Sequence, residues 1–363
     1  MTKNHQNQKR ILWIDYAKFI GISLVVCAHQ TDRDGWFTFI SAFTLPLFFF
    51  LSGYLFSFKK FDSYASFLKA RTKQLLIPYF LLNLIAYALW LVFFRKFDEN
   101  FAISQPSYRP FIGIFYGNGH DSWLIHCVAS WFIICLFTLE NIYFLLFRNA
   151  KGAFRFILLA GIFIVSLLDQ KYDPIRWPWG FNPAIIGLIF YGTANILKEE
   201  TQRIMNLPLP RLIALSVPSL LVVYFVSTRN YVDMLESTYG NFYLFIIGAF
   251  SGILFALTLS RMLDIVLGPV WVFQYLAQNT LVILAFHTFL ISLSRNFIAL
   301  AFDIPSAVVI HSRYLSLIVV AATLALSLPL IHLCNKYLPI MVGRPYKPKQ
   351  QLFRRPQEII SQS

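Results

Sequence analysis

Ten apolar runs follow one another along the 363-residue chain, at 11–28, 36–57, 75–94, 124–147, 154–168, 181–197, 211–227, 241–260, 271–294 and 314–334. Each is close to the roughly 20 residues with which a helix crosses a bilayer, with tilt and local thickness absorbing the differences. Inside hydrocarbon every backbone N–H and C=O must be paired within the protein, which leaves helices or a closed barrel. Barrel strands alternate polar and apolar residues, and these runs do not. The expected fold is therefore an all-α integral membrane protein, a bundle of about ten transmembrane helices. Run 154–168 is short, and 271–294 contains Gln274, Gln278, Asn279 and His287, which predict an irregular helix.

Charged residues make up 13% of the chain, about half the share of a soluble domain. Phe alone fills 38 positions, and the mean hydropathy is +0.60. No soluble core of this size hides so much apolar surface, and the disordered, collagen-like and disulfide-scaffold classes are excluded too. Cys27, Cys127, Cys135 and Cys334 neither pair in spacing nor form a CxxC, so no redox or metal role follows.

A net charge of +14 raises nucleic acid as a partner, but its distribution points to lipid. With the N-terminus placed in the cytoplasm, the inner segments hold 21 Lys and Arg and the outer ones 9. That excess is a topology signal, so both termini are expected inside, with membrane lipids rather than nucleic acid as neighbours. No repeat or linker divides the chain. One domain, 1–363, is expected: a cytoplasmic tail 1–10, a helical bundle 11–334 and a basic cytoplasmic tail 335–363. The first run contains Asp15 and Lys18 and is expected to be retained rather than cleaved as a signal peptide. The longest outer connection, 95–123, is a candidate lid or acceptor-contact segment.

Ionisable residues inside spans are costly and point to function. On the first helix, Lys18 and His29 are eleven positions apart, which places them on one face about 16 Å apart along the axis. Asp15 lies three residues before Lys18 and can pair with it. His29 is expected near the outer surface, where an imidazole is suited to general-base work; the structural alternative is a helix-end hydrogen bond. In the inner loop 58–74, Lys59, Lys60, Lys69, Arg71 and Lys73 read either as a lipid anchor or as a phosphate clamp, with Pro78 kinking the helix beyond. Glu140 sits deep in the fourth run and needs a partner or a proton; Lys18 or a histidine would serve. His287 reads as a structural hydrogen-bonder, and Ser52 and Gly53 as small residues that let helices approach. No nucleophile elbow, HExxH, P-loop or dinucleotide fingerprint occurs.

The segments WIDYAKFIGISLVVCAH (13–29), FTLPLFFFLSGYLF (43–56), KARTKQLLIPY (69–79), SWFIICLF (130–137) and QNTLVILAFH (278–287) together resemble the membrane acyltransferase-3 family, especially its branch related to fucose 4-O-acetylases. The resemblance implies a ten-helix membrane O-acetyltransferase that moves acetyl from cytoplasmic acetyl-CoA to a glycan or lipid-linked oligosaccharide beyond the membrane. It implies a bacterial plasma or inner membrane location. No tightly bound cofactor or metal is expected. His29 is the expected general base, Lys18 and Asp15 further catalytic residues on the same helix, Arg71 and Lys73 the expected donor-binding cations, and Glu140 and His287 supporting residues. One departure stands out: many members carry Arg-x-x-Arg in the inner loop, whereas Gln74 follows Arg71 at that spacing. A rival reading is a transporter or flippase for a glycan or small anion, although no inverted repeat is visible.

Overall fold

The computed structural model describes residues 11–31, 35–95, 106–172 and 175–343. The tail 1–10, part of the connection 95–123 and most of the tail 335–363 lie outside the described residues. The helices are α1 (Leu12–Gln30), α2 (Gly35–Ser41), α3 (Thr44–Leu55), α4 (Tyr64–Arg71), α5 (Ile77–Leu89), α6 (Tyr108–Tyr116), α7 (Trp131–Phe147) and α8 (Phe154–Tyr172). After them come α9 (Phe181–Ile196), α10 (Lys198–Met205), α11 (Leu209–Ser227), α12 (Phe242–Leu267), α13 (Trp271–Gln278), α14 (Thr280–Ala301), α15 (Ser306–His311) and α16 (Arg313–Tyr337). Among the described residues there is no strand beyond one isolated bridge, Asp233 with Thr238.

Among the described residues, eight helical stretches are long and apolar enough to cross a membrane, and α9 with α10, bent by 69°, makes a ninth. All ten apolar runs fall on helices, but α8 carries Arg155, Asp169 and Lys171 and stays outside that count. The irregularity expected in 271–294 is a break at Asn279, whose amide turns back to donate to the Tyr275 carbonyl at 2.7 Å. The ninth span is therefore α14, 280–301, and not 271–294.

Pro78 does not end its helix. A π-helical turn over Thr72–Leu76 precedes it, with the Ile77 amide bonding back to the Thr72 carbonyl. The wider turn relieves the bond that Pro78 cannot make, and Tyr64–Phe94 runs on as one stretch of 31 residues.

Large apolar residues cover the outside: Val266 is 67% exposed, Phe297 70% and Leu300 83%. In water such a surface would aggregate, whereas in lipid it is the matching solvent. Small residues draw the inner helices together. At Gly53 an added Cβ would stand 2.1 Å from the Tyr191 carbonyl oxygen, so α3 and α9 touch backbone to backbone.

Alternate connections collect at opposite ends of the bundle. At one end Arg148 donates to the Asp62 carbonyl (2.6 Å), Tyr54 to Gln202 (2.7 Å) and Arg261 to the Met205 carbonyl (2.8 Å). At the other, His120 pairs with Glu236, Arg176 donates to the Glu236 carbonyl (3.2 Å) and Gln170 to the Gly240 carbonyl (2.8 Å). α1 starts at the first end and finishes at the second.

Candidate functional site

α1 is apolar apart from a few residues, so its polar side chains stay only where the bundle leaves space. It has a cavity at each end. His29, one residue before the helix finishes, is exposed into a cavity of about 360 Å³ lined also by Thr31, Thr44, Phe37, Trp131 and Phe132. His29 donates from Nδ1 to the Val25 carbonyl at 2.8 Å. A carbonyl only accepts, so in the neutral ring Nε2 is the basic nitrogen. An imidazolium formed there would also sit in the favourable field of the helix's carbonyl end.

His287 packs edge-on against this ring, with centroids 4.6 Å apart at 85°. It is fully buried and shares its Nδ1–H between the carbonyls of Ile283 and Leu284, each at 3.0 Å. The structural hydrogen-bonder of the sequence is thus also the wall that fixes the plane of His29.

Asp233, Met234 and Leu235, from the connection between α11 and α12, complete this cavity. The Asp233 carboxylate shapes the turn by accepting from the amides of Leu235 (3.1 Å) and Glu236 (3.4 Å). No described residue of the connection 95–123 lines it. That segment instead packs α6 on α5, through Tyr79 to the Ile114 carbonyl (2.8 Å) and Tyr87 to the Ser107 carbonyl (2.9 Å), and offers His120 to Glu236. Among the described residues the α11–α12 loop supplies a wall of the His29 cavity, which the sequence did not announce.

At the other end of α1, Asp15 and Lys18 line a cavity of about 650 Å³ with Tyr54, Ser57, Lys59, Lys60 and Lys198. The two cavities share no lining residue. Between them lies packed core: Ile22 is buried on α1, and Gly21 lets the Phe48 ring close in, an added Cβ there meeting its Cζ at 2.9 Å. Phe48 in turn packs on Phe132, ring to ring at 5.9 Å.

Glu140 has found its partner in Arg71, at 2.8 Å between Nε and Oε2, and not in Lys18 or a histidine. The approach is an ion pair without hydrogen-bond alignment. Tyr191 donates to the other carboxylate oxygen at 3.3 Å. Arg71 also donates to Gln74 at 2.7 Å and lies against the rings of Phe56, Phe61 and Phe67, 5.7–5.8 Å from their centroids. A third cavity of about 340 Å³ adjoins this pair and shares Leu55 and Lys60 with the lysine-lined one. Lys73 is exposed and lines none of the three. The structure therefore joins His29 with His287, Asp15 with Lys18, and Arg71 with Glu140, while Lys73 stands apart from Arg71's pocket.

Residues 11–332 match the family model described as an acyltransferase domain, Acyl_transf_3. No curated protein and no solved structure matches the chain.

Proposed function

The chain belongs to this acyltransferase family, and on that premise we propose that it is an O-acetyltransferase that moves acetyl from cytoplasmic acetyl-CoA to a hydroxyl of an exported or cell-surface glycan. The observation that carries the reading is His29: an exposed imidazole in a cavity at the end of a spanning helix, its Nδ1 held by a carbonyl. Aromatic rings beside it, Phe37, Trp131 and Phe132, offer the flat apolar faces on which sugar rings stack. His29 Nε2 takes the proton of an acceptor hydroxyl as its oxygen attacks the thioester carbonyl. The C–S bond then breaks, the acetyl ester remains on the sugar, and the proton passes from the imidazolium to the leaving thiolate of CoA.

The donor enters from the end where α1 begins, which the Lys and Arg asymmetry assigns to the cytoplasm. Its thioester must pass the packed rings of Phe48 and Phe132, so transfer requires those rings to part. Asp15 and Lys18 stand at the entrance to that route. The fucose 4-O-acetylase-like branch and the bacterial cell membrane belong to the same proposal.

The test is transfer by the purified chain in proteoliposomes, read as acceptor-dependent release of CoA thiol. His29→Ala should lower turnover by about 10²- to 10⁴-fold, the usual worth of a general base, with the protein still folded and inserted. Turnover within threefold of the unsubstituted protein would remove His29 from the scheme. A cell lacking the protein should lose glycan O-acetyl groups on an otherwise similar polymer; a change in glycan export instead would favour the transporter reading.

A further inference from the structure

We propose that the cavity framed by Lys18, Lys59, Lys60 and Lys198 is a polyphosphate site, and that it holds the phosphate groups of the CoA donor in place of the Arg71 and Lys73 clamp expected from the sequence. The inference rests on the acyl-CoA reading above and assigns that donor its residues.

Among the described residues, four ammonium groups and one carboxylate, Asp15, line this cavity. The lysines come from three separate segments, α1, the loop after α3 and the start of α10, so the fold and not local sequence gathers them. Lys60 and Lys198, from different segments, line the same cavity. Like charges held together cost free energy that a bound anion recovers. Polyphosphate is the anion that matches such a count, and Lys binds phosphate as a point charge without the planar fork of Arg.

The cavity is also braced. Lys198 lies over the Tyr54 ring at 5.2 Å, and the Tyr54 hydroxyl donates to Gln202 at 2.7 Å, which ties α3 to α10 across the site. The cations expected from the sequence are placed elsewhere. Arg71 is engaged by Glu140, Gln74 and three rings, and Lys73 lies outside the cavity. Leu55 and Lys60 border both inner cavities, so a ligand seated on the lysines has room to continue alongside α3 toward α7.

Anionic lipid headgroups share this chemistry, and the experiment separates the two sources. Binding of CoA and of dephospho-CoA, which lacks the 3′-phosphate, is measured by calorimetry on the full chain in nanodiscs of phosphatidylcholine alone or with phosphatidylglycerol. Lys60→Gln/Lys198→Gln should weaken CoA binding at least tenfold in both lipids and dephospho-CoA binding less. Lys59→Gln should act in the same direction and guards against a folding defect in the double variant. His29→Ala should bind CoA as the unsubstituted chain does.

Unchanged CoA affinity in both lysine variants, or no CoA binding by the unsubstituted chain, overturns the site. An effect seen only with phosphatidylglycerol present overturns it in favour of lipid. If CoA binds through the lysines and no glycan is acylated, the reaction proposed above fails and the site stands. If acylation proceeds while CoA affinity ignores the lysines, the reverse holds.

Discussion

Replacing Glu140 by Leu leaves the Arg71 guanidinium without its carboxylate in a site where Glu140 itself is only 3% exposed. Breaking a buried ion pair by removing one partner costs about 3–5 kcal/mol, since the survivor keeps its desolvation penalty. The Arg71 side chain retains 19% exposure, and Gln74 and three aromatic faces still hold it, so the lower end, about 3 kcal/mol, is the expected loss. At about 2 °C per kcal/mol for a large chain, the apparent melting temperature in detergent should fall by about 6 °C. Arg71→Leu should cost less, because the stranded carboxyl can take up a proton and Tyr191 remains to bond it. The double variant Arg71→Leu/Glu140→Leu should recover most of the loss, since a buried pair exchanged for apolar residues is often neutral. The assay is a double-mutant cycle on thermal unfolding, together with the CoA affinity of the double variant. Single variants whose losses simply add would refute the pairing as the reason for both residues. A large loss of CoA affinity in the double variant would return Arg71 to the donor site.

Gly53→Ala puts a methyl group 2.1 Å from the Tyr191 carbonyl oxygen; overpacking of about 3 kcal/mol should appear as a loss of monodisperse protein on size exclusion. His287→Phe keeps the ring that walls His29 but removes its polar atoms, so turnover should survive within about tenfold, with His287→Ala falling further and shifting the pH profile; equal rates in the two variants would deny the positioning role. Leu235→Trp fills the cavity beside the α11–α12 loop and should raise the acceptor KM while leaving CoA affinity unchanged. The four cysteines are all buried, and maleimide should label them only after denaturation.

Much of the architecture was legible because a bilayer allows so few solutions. Apolar runs of spanning length had to be helices, and their order follows from sequence alone, while eight or nine of the ten expected spans are long and apolar enough to cross a membrane among the described residues. The face shared by Lys18 and His29 is likewise a matter of helical period, and α1 keeps it. The errors fall where local pattern and tertiary context compete. The polar residues of 271–294 announced an irregular helix, but not that the chain breaks at Asn279, whose side chain bonds back to Tyr275 and accepts from Asn335 at 3.0 Å, nor that the span begins only at 280. Before Pro78 stands a π-helical turn over Thr72–Leu76 that periodicity did not show.

The amino-acid order by itself determined the class of protein, the helices and the candidate base, because periodicity and desolvation act along the chain. Only the tertiary structure decided who stands beside whom. It gave Glu140 to Arg71, set His287 against His29, drew the α11–α12 loop into the wall of the outer cavity and collected lysines from three segments at the inner one. Those pairings join residues far apart in sequence, and the space in which they meet is fixed by helix packing, for which no local pattern holds a record.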